Sequence, residues 1–179
     1  MSIDQRAFRH AMGQFASGVT VVTTHDGEVA TGITVSSFAS LSLDPPLVLV
    51  CIDNRGRSHE ALASADMFAV NILAEHQEQV ARIFASRAED KFANVAHTFS
   101  ANGLPLLDDV LATVECRKVN VLPGGDHTIF VGEVVAIATH DRRPLVYYAS
   151  RFGQFGEKEP LETTPFVRSQ ATQAEVAVA

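Results

Sequence analysis

Hydroxyl side chains are concentrated in one segment with the composition of a β-strand. Residues 32–38 contain Thr34, Val35, Ser36 and Ser37. In a strand, Thr34 and Ser36 share one face, and Ser37 shares the other with Val35. Such hydroxyls, together with backbone amides, can hydrogen-bond a flat heterocycle. A half-exposed strand with outward polar positions explains the same pattern and is the more common cause.

A basic turn follows the next apolar run of the chain. It contains Asn54, Arg55, Arg57 and Ser58, with Ser58 placed to cap a helix. Helix N-termini attract anions, and arginines strengthen such sites. A solvated turn is an equally good explanation. Taken together, the hydroxyl segment and this turn predict a cradle for a polar ring with a phosphate tail, and therefore a nucleotide-like cofactor.

The familiar motifs of other site classes are absent. The sequence has no Gly-x-Gly-x-x-Gly, no Walker pattern and no Gly-x-Ser-x-Gly. It also lacks Cys-x-x-Cys and His-Glu-x-x-His, so we expect no metal. Its two cysteines, Cys51 and Cys116, lie in apolar runs and are predicted to be buried, reduced thiols.

One histidine stands out among seven. His127 follows a glycine-rich turn and precedes a strand-like run, where it could donate hydrogen bonds or move protons. Pattern alone favours a structural role.

Composition restricts the possible classes of protein. The chain has 179 residues, 46% of them hydrophobic, enough for one domain with a core that needs no disulfide. Its net charge is −7, and no Lys/Arg block suggests a nucleic-acid surface. No apolar run approaches the ~20 residues that span a bilayer, and the N-terminus lacks an apolar signal segment. We expect a cytoplasmic protein with neither a membrane nor a nucleic acid as partner.

Periodicity predicts three helices and six or seven strands. Helices are expected from Ile3 to Phe15, at 58–64 and at 75–86. Strands are expected at 19–24, 29–38, 47–52, 67–73, 110–122, 128–140 and 145–149, with a polar surface excursion at 87–102. Short turns, including an Asp-Gly turn after the first strand, imply antiparallel pairing. The fold class is mainly β with α: a closed antiparallel barrel with helices packed outside it, not a doubly wound parallel sheet.

Across residues 5–156 the chain resembles flavin reductases with the FMN-binding split-barrel fold. It looks most like the small reductase component of two-component flavin-dependent monooxygenases. The segments that carry the resemblance are Phe8 to Thr24, Gly32-Ile33-Thr34 with Ser37-Phe38, Ser42 to Val50, Phe68 to Leu73, and Gly125-Asp126-His127 through Val134. The resemblance implies a split-barrel domain at 1–156. The tail at 157–179 has little periodicity, and we expect it to be loose or docked on a partner.

The resemblance also assigns roles to residues. The flavin ring would lie on Thr34, Val35, Ser36 and Ser37, and the ribityl and phosphate groups on Asn54, Arg55, Arg57 and Ser58. A second flavin-contacting stretch would be Phe84, Ala85 and Ser86. His127 would lie near the nicotinamide and act in catalysis, with Arg151 and Phe152 beside it. Where the family often has a basic residue followed by Tyr, this chain has Arg151-Phe152, so the charge is kept and the hydroxyl lost.

The implied reaction is hydride transfer from NADH, or from NADPH, to FMN or FAD in a homodimer. The reduced flavin would supply a partner monooxygenase. Three alternatives stay open: a split-barrel oxidase acting on another small substrate, a flavin-binding electron carrier, and a structural barrel without a ligand.

Overall fold

The computed structural model describes residues 3–25, 27 and 29–156. The helices are α1 (Gln5–Met12), α2 (Arg57–Ser64) and α3 (Glu78–Ala85). The strands are β1 (Ser17–Gly18), β2 (Thr20–His25), β3 (Ala30–Val35), β4 (Phe38–Leu43), β5 (Pro46–Asp53), β6 (Met67–Ile72), β7 (His97–Phe99), β8 (Pro105–Leu107), β9 (Ala112–Gly124), β10 (His127–Thr139), β11 (Leu145–Tyr148) and β12 (Arg151–Gln154). Within the described ranges, no helix has the length and apolar character needed to cross a membrane. The predicted tail at 157–179 lies outside them.

Seven strands form one antiparallel sheet in the order β3-β2-β6-β9-β10-β5-β4. Its two edge strands, β3 and β4, are consecutive in the chain and are joined only by Ser36 and Ser37. Two residues bring the ends of these strands to within about 11 Å of each other. The sheet must therefore curl until its edges meet, which is the barrel that the sequence predicts.

The curled sheet has an apolar cluster on each side of strand β2. Val22 packs inside the barrel with Phe68 and Phe130, and Leu62 of α2 joins them. Val21, the next residue along the strand, points to the opposite side and packs near Phe84 of α3. β2 is buried on both faces because helix α3 covers the outside of the barrel there.

Two smaller sheets complete the fold. Strands β1, β11 and β12 form a three-stranded sheet, and β7 pairs with β8. The prediction of a polar surface excursion at 87–102 was partly wrong, because this segment contributes β7 and buries Phe92 and Val95. The Phe92 ring packs edge-to-face on Phe84, 5.0 Å away, and so anchors the polar run to the core.

Four local predictions need correction. The single strand predicted at 29–38 is two strands, since β3 pairs with β2 whereas β4 pairs with β5. The strand total of six or seven missed short elements such as β1 and β12. Helix α1 forms as predicted but buries none of its residues; Phe8, for example, is 55% exposed. Cys116 is buried as expected, whereas Cys51 is only half-buried.

The long hairpin of β9 and β10 positions His127. Its two strands have 13 residues each and turn at Gly125 and Asp126. Gly125 has a φ of +75°, a left-handed conformation that glycine adopts without steric cost. His127 is therefore the first residue of β10, at the mouth of the hairpin.

Candidate functional site

The segments expected to bind the ligand meet around the carbonyl of Gly32 on β3. The Ser58 hydroxyl of α2 donates to the Gly32 oxygen over 3.4 Å, and the Lys91 ammonium donates to it over 3.2 Å. A Cβ at Gly32 would lie 2.6 Å from the ring of Phe84. Strand β3, the start of α2 and the end of α3 thus converge at a position where only glycine fits.

Two of the three hydroxyls in the predicted ring segment are already hydrogen-bonded within the protein. Thr34 donates to the Ala81 carbonyl on α3 over 2.7 Å, and Ser37 donates to the Cys51 carbonyl over 2.8 Å. Because β3 ends at Val35, the expected strand alternation does not extend through Ser36 and Ser37. Ser36 is exposed, and the contacts described for this part of the chain leave its hydroxyl open.

The basic turn leads into α2, but its cap is not the predicted one. Helix α2 begins at Arg57 with Gly56 as its N-cap, so Ser58 lies buried in the first turn instead of capping it. Asn54 sits before the helix and is held by β10. Its side-chain oxygen accepts a hydrogen bond from Thr128 over 2.8 Å, and its backbone N–H donates to Asp126.

The two arginines of the turn differ in their surroundings. Arg55 donates to the Asp53 carboxylate three times, from its backbone N–H (2.9 Å), Nε (3.0 Å) and Nη2 (2.7 Å). These bonds hold the pKa of Asp53 well below its usual range. Arg57 makes one long bond, 3.4 Å to the Ala88 carbonyl. Arg57 therefore keeps an unneutralised charge, whereas Arg55 does not.

Lys91 is a residue of the site that the sequence prediction missed. Its ammonium donates to the Phe84 carbonyl at the end of α3 over 2.9 Å, as well as to Gly32. Burial lowers the pKa of Lys91, and the nearby charge of Arg57 lowers it further. The available signal was the pair of phenylalanines in this polar run, Phe92 and Phe99, of which Phe92 packs against the core.

The second predicted flavin stretch lies beside Lys91. Phe84 is fully buried, and its carbonyl accepts a hydrogen bond from Lys91. Ser86 caps α3, and its hydroxyl donates to Ile83 over 2.7 Å. Ala85 is exposed between them.

His127 lies on β10, beside the end of β5 that leads into the basic turn. It pairs with Asp53 in the ladder, and its Nδ1 is 2.8 Å from the Asp126 carboxylate. Because a carboxylate accepts, Nδ1 carries the proton in the neutral imidazole, and Nε2 is then an acceptor. The hydrogen bond from His127 lowers the pKa of Asp126.

Arg151 and Phe152 lie on a different sheet from His127. Phe152 packs on Tyr147 at 5.3 Å between ring centroids, and the Arg82 guanidinium of α3 lies 5.0 Å from its ring. With Arg151 it lines a depression of about 520 Å³ on the β11–β12 hairpin. Among the described residues, no hydrogen bond, ion pair or ring contact joins Arg151 or Phe152 directly to His127.

These residues fit a phosphorylated ring. The Phe84 ring packs against Gly32, where a Cβ would collide with it, and two cations, Arg57 and Lys91, lie beside this packed position. In the part of the chain that the structure describes, no three His, Cys, Asp or Glu side chains are grouped to hold a metal ion.

Comparison with known proteins identifies the family of the chain. The sequence model of the family described as "Flavin reductase like domain" matches residues 12–156. A reductase subunit of a flavin-dependent monooxygenase, HsaB of Rhodococcus jostii (strain RHA1), is 42% identical over 165 residues, covering 92% of this chain and 83% of that protein. The reductase component of 4-nitrophenol 4-monooxygenase/4-nitrocatechol 2-monooxygenase from Rhodococcus opacus is 46% identical over 154 residues. The match covers 86% of this chain and 82% of that protein.

A solved structure agrees in fold. The NADH:FAD oxidoreductase SgcE6 of Streptomyces globisporus C-1027, in complex with NAD and FAD fragments, superposes with a TM-score of 0.82 at 37% identity, covering 87% of this chain and 97% of that one. The predicted fold class is confirmed: the chain is mainly β, antiparallel, and of the split-barrel type. With its curled sheet and the family match over residues 12–156, the chain belongs to the flavin reductase-like family.

Proposed function

We propose that this protein is a flavin reductase that transfers hydride from NADH to FMN or FAD and supplies the reduced flavin to a partner monooxygenase in the cytoplasm. The observation that carries the proposal is the convergence of β3, α2 and the end of α3 on Gly32, with Arg57 and Lys91 beside it. Similarity to reductase components of monooxygenases supports the identity of the partner class.

The bound flavin supplies the hydride-accepting chemistry, and the protein supplies binding and orientation. Residues 34–37 would hold the ring through backbone groups and the Ser36 hydroxyl, since Thr34 and Ser37 are already bonded within the protein. The turn from Asn54 to Ser58 would meet the ribityl and phosphate groups, and the backbone of 84–86 would border them. Holding both reactants in one cleft converts a bimolecular encounter into a positioned one.

His127 is the proposed catalytic residue. Its Nε2, left as an acceptor by the Nδ1 bond to Asp126, would orient the nicotinamide carboxamide, whose amide group donates hydrogen bonds. The charged groups near His127 are the Asp126 carboxylate and the Asp53–Arg55 ion pair. Because the sequence has no large Lys/Arg cluster for a 2′-phosphate, we favour NADH over NADPH.

A homodimer is part of the proposal. Large apolar side chains are exposed on the described surface. Among them are Phe8 and Met12 on helix α1, and Phe15 just after it. Arg151 and Phe152 lie on another sheet from His127, so a second copy could supply them to the nicotinamide site. Sedimentation of the purified protein tests the dimer, and a monomer at micromolar concentration contradicts it.

One set of assays tests the function. Steady-state rates are measured with NADH or NADPH paired with FMN, FAD or riboflavin. Fast NADH oxidation that depends on added flavin supports the proposal. Flavin binding without oxidation of either nucleotide favours an electron carrier or an oxidase acting on another substrate. A protein that FMN and FAD do not stabilise thermally is a barrel without this ligand.

A further inference from the structure

The turn of the β11–β12 hairpin contains two non-glycine residues with positive φ. Ala149 has a φ of 47° and Ser150 a φ of 64°. Tyr148 pairs with Arg151 in the ladder, so these two residues are the whole turn. A two-residue turn with both φ angles positive is of type I′, which Asn-Gly adopts at the least steric cost. Other side chains resist this conformation, and such strain persists only where the surrounding structure enforces it.

The end of helix α1 holds the hairpin at its turn. The backbone N–H of Ala149 donates to the Gly13 carbonyl over 2.8 Å. Beside it, the Tyr148 hydroxyl donates to the side-chain oxygen of Gln14 over 3.0 Å. The side-chain nitrogen of Gln14 donates in turn to the His10 carbonyl over 3.4 Å. The strained turn is therefore fixed to α1 by two hydrogen bonds that do not belong to its own sheet.

Helix α3 holds the second strand of the hairpin through Arg82. Its guanidinium lies 5.0 Å from the centroid of the Phe152 ring on β12, a distance typical of a cation–π contact. Glu78, one turn earlier on α3, accepts hydrogen bonds from Nε and Nη2 of Arg82 over 2.9 and 2.6 Å and so orients the guanidinium. The Tyr147 ring contacts Phe152 from β11. Phe152 is thus held from two elements while it lines the depression on the hairpin.

The hairpin needs this support because its sheet is small. The sheet has three strands, of which β1 contributes two residues and β12 lies at the edge. A short hairpin has little stability of its own in water. The contacts from α1 and α3 therefore decide how firmly the hairpin keeps its strained conformation.

We propose that Gln14 and Arg82 are positioning residues of the nicotinamide site, which hold the β11–β12 hairpin in place and so set the affinity for NADH. Neither is among the described residues that line the depression, so both act through the hairpin. The inference rests on the nicotinamide role proposed for Arg151 and Phe152. It identifies the parts of the fold that keep those two residues in position.

A purely structural role for Arg82 is the alternative, and the chain provides two controls for it. Glu78→Gln removes the ion pair within α3 but leaves the cation beside Phe152. Arg142→Met removes another arginine, whose described partner is the Asp109 carboxylate at 2.8 Å and not a ring. A loss of helix stability alone would appear in Glu78→Gln, and an effect of lost surface charge alone would appear in Arg142→Met.

The first test compares the steady-state kinetics of the wild type, Arg82→Met and Gln14→Ala at saturating flavin. We expect each variant to raise the KM for NADH about 2- to 5-fold, the usual effect of losing one exposed cation–π contact or one neutral hydrogen bond. The kcat and the KM for flavin should stay within about twofold of the wild type. Arg82→Lys keeps a cation near the ring and should restore most of the affinity for NADH. Glu78→Gln and Arg142→Met should match the wild type.

A double-mutant cycle locates the effect at the ring of Phe152. Once Phe152→Leu has removed the ring, Arg82→Met should raise the KM for NADH no further, because the two side chains form one contact. Fully additive effects would show that Arg82 acts elsewhere and would overturn its positioning role. Equal increases in the KM for NADH and the KM for flavin would overturn it in favour of a general structural role.

The second test needs no turnover. Hydrogen exchange of the backbone amides at 146–154 is followed by mass spectrometry in the protein without ligand. We expect faster exchange there in Arg82→Met and Gln14→Ala, and no change in Arg142→Met. Unchanged exchange in the first two variants overturns the proposal even if the wild type oxidises NADH.

The two tests separate this inference from the proposed reaction. Faster exchange of the hairpin with an unaltered KM for NADH overturns the inference, because the hairpin then moves without consequence for the nucleotide. A wild type that does not oxidise NADH contradicts the proposed reaction. The exchange measurements then still support or overturn the hold of Gln14 and Arg82 on the hairpin.

Discussion

The hydroxyl of Thr128 donates a hydrogen bond to the side-chain oxygen of Asn54 across 2.8 Å. The same hydroxyl oxygen lies 2.9 Å from Nε2 of His59. Since the hydroxyl proton goes to Asn54, His59 must donate to Thr128. The chain His59–Thr128–Asn54 therefore fixes the Asn54 side chain by its oxygen, and no described hydrogen bond uses the N–H groups of its amide.

Thr128→Val should weaken flavin binding while keeping the shape of the site. The valine cannot hold the Asn54 amide, so we expect the KM for flavin to rise about 2- to 10-fold, the cost of one ordinary hydrogen bond. Steady-state kinetics at saturating NADH measures it. Thr24→Val is the control, because its hydroxyl donates over 2.7 Å to the Met67 carbonyl and takes no part in the Asn54 chain. A similar KM in both variants contradicts the positioning role.

His127→Ala should impair use of NADH and spare flavin binding. We expect kcat/KM for NADH to fall about tenfold or more, because the Nε2 acceptor is lost, while the Kd for flavin stays within about twofold. Asp126→Asn should give a smaller fall of the same kind, since Nδ1 keeps a neutral acceptor. His140→Ala, at an exposed position after β10, serves as the control. Unchanged kinetics in His127→Ala would contradict the catalytic role proposed for His127.

The sequence alone could not show which cations of the site keep an uncompensated charge, and Arg55, Arg57 and Lys91 illustrate why. The sequence correctly located a basic turn before a helix, because the signals of a turn are local. Only the fold distinguishes the two arginines: Arg55 is bound to the Asp53 carboxylate, whereas Arg57 has no carboxylate partner among the described residues. Lys91 is 59 positions from Gly32, whose carbonyl it contacts, and no local pattern reports such a pairing.

The fold itself was largely predictable for a similar reason. Runs of β-branched residues and the glycine turn at Gly125 identified the hairpins, and these signals act within a few residues. The break at Ser36 and Ser37 was missed because it depends on β3 and β4 pairing with different strands. Burial of Phe92 was missed because its partner, Phe84, belongs to another element.

Gly32→Ala should destabilise the protein and damage the site together. The new Cβ would lie 2.6 Å from the buried Phe84 ring, which has no room to retreat in a packed core. Overpacking of this kind costs about 1–3 kcal/mol, a fall in Tm of several degrees. Thermal denaturation checks it, and Gly18→Ala, with no atom within 4 Å of its Cβ, should be close to neutral. Equal Tm values for both variants would mean that the Phe84 ring moves aside without a measurable loss of stability.

Asp53→Asn should reduce stability at neutral pH and have a smaller effect in acid. Hydrogen bonds from Arg55 hold the pKa of Asp53 in the folded protein below its value in the unfolded chain, near 3.8. A depressed folded-state pKa contributes stability above the unfolded value, and this contribution is lost as the pH falls through the folded value. The Tm difference between wild type and Asp53→Asn should therefore be constant from about pH 5 to 8 and shrink below about pH 4.

Because Arg55 is 82% exposed, the difference should be small and should shrink further in high salt. Asp141→Asn, at an exposed position with no ion pair among those described, is the control and should follow the wild type at every pH. A difference for Asp53→Asn that persists unchanged at pH 2 would mean that the carboxylate charge is not what Arg55 stabilises.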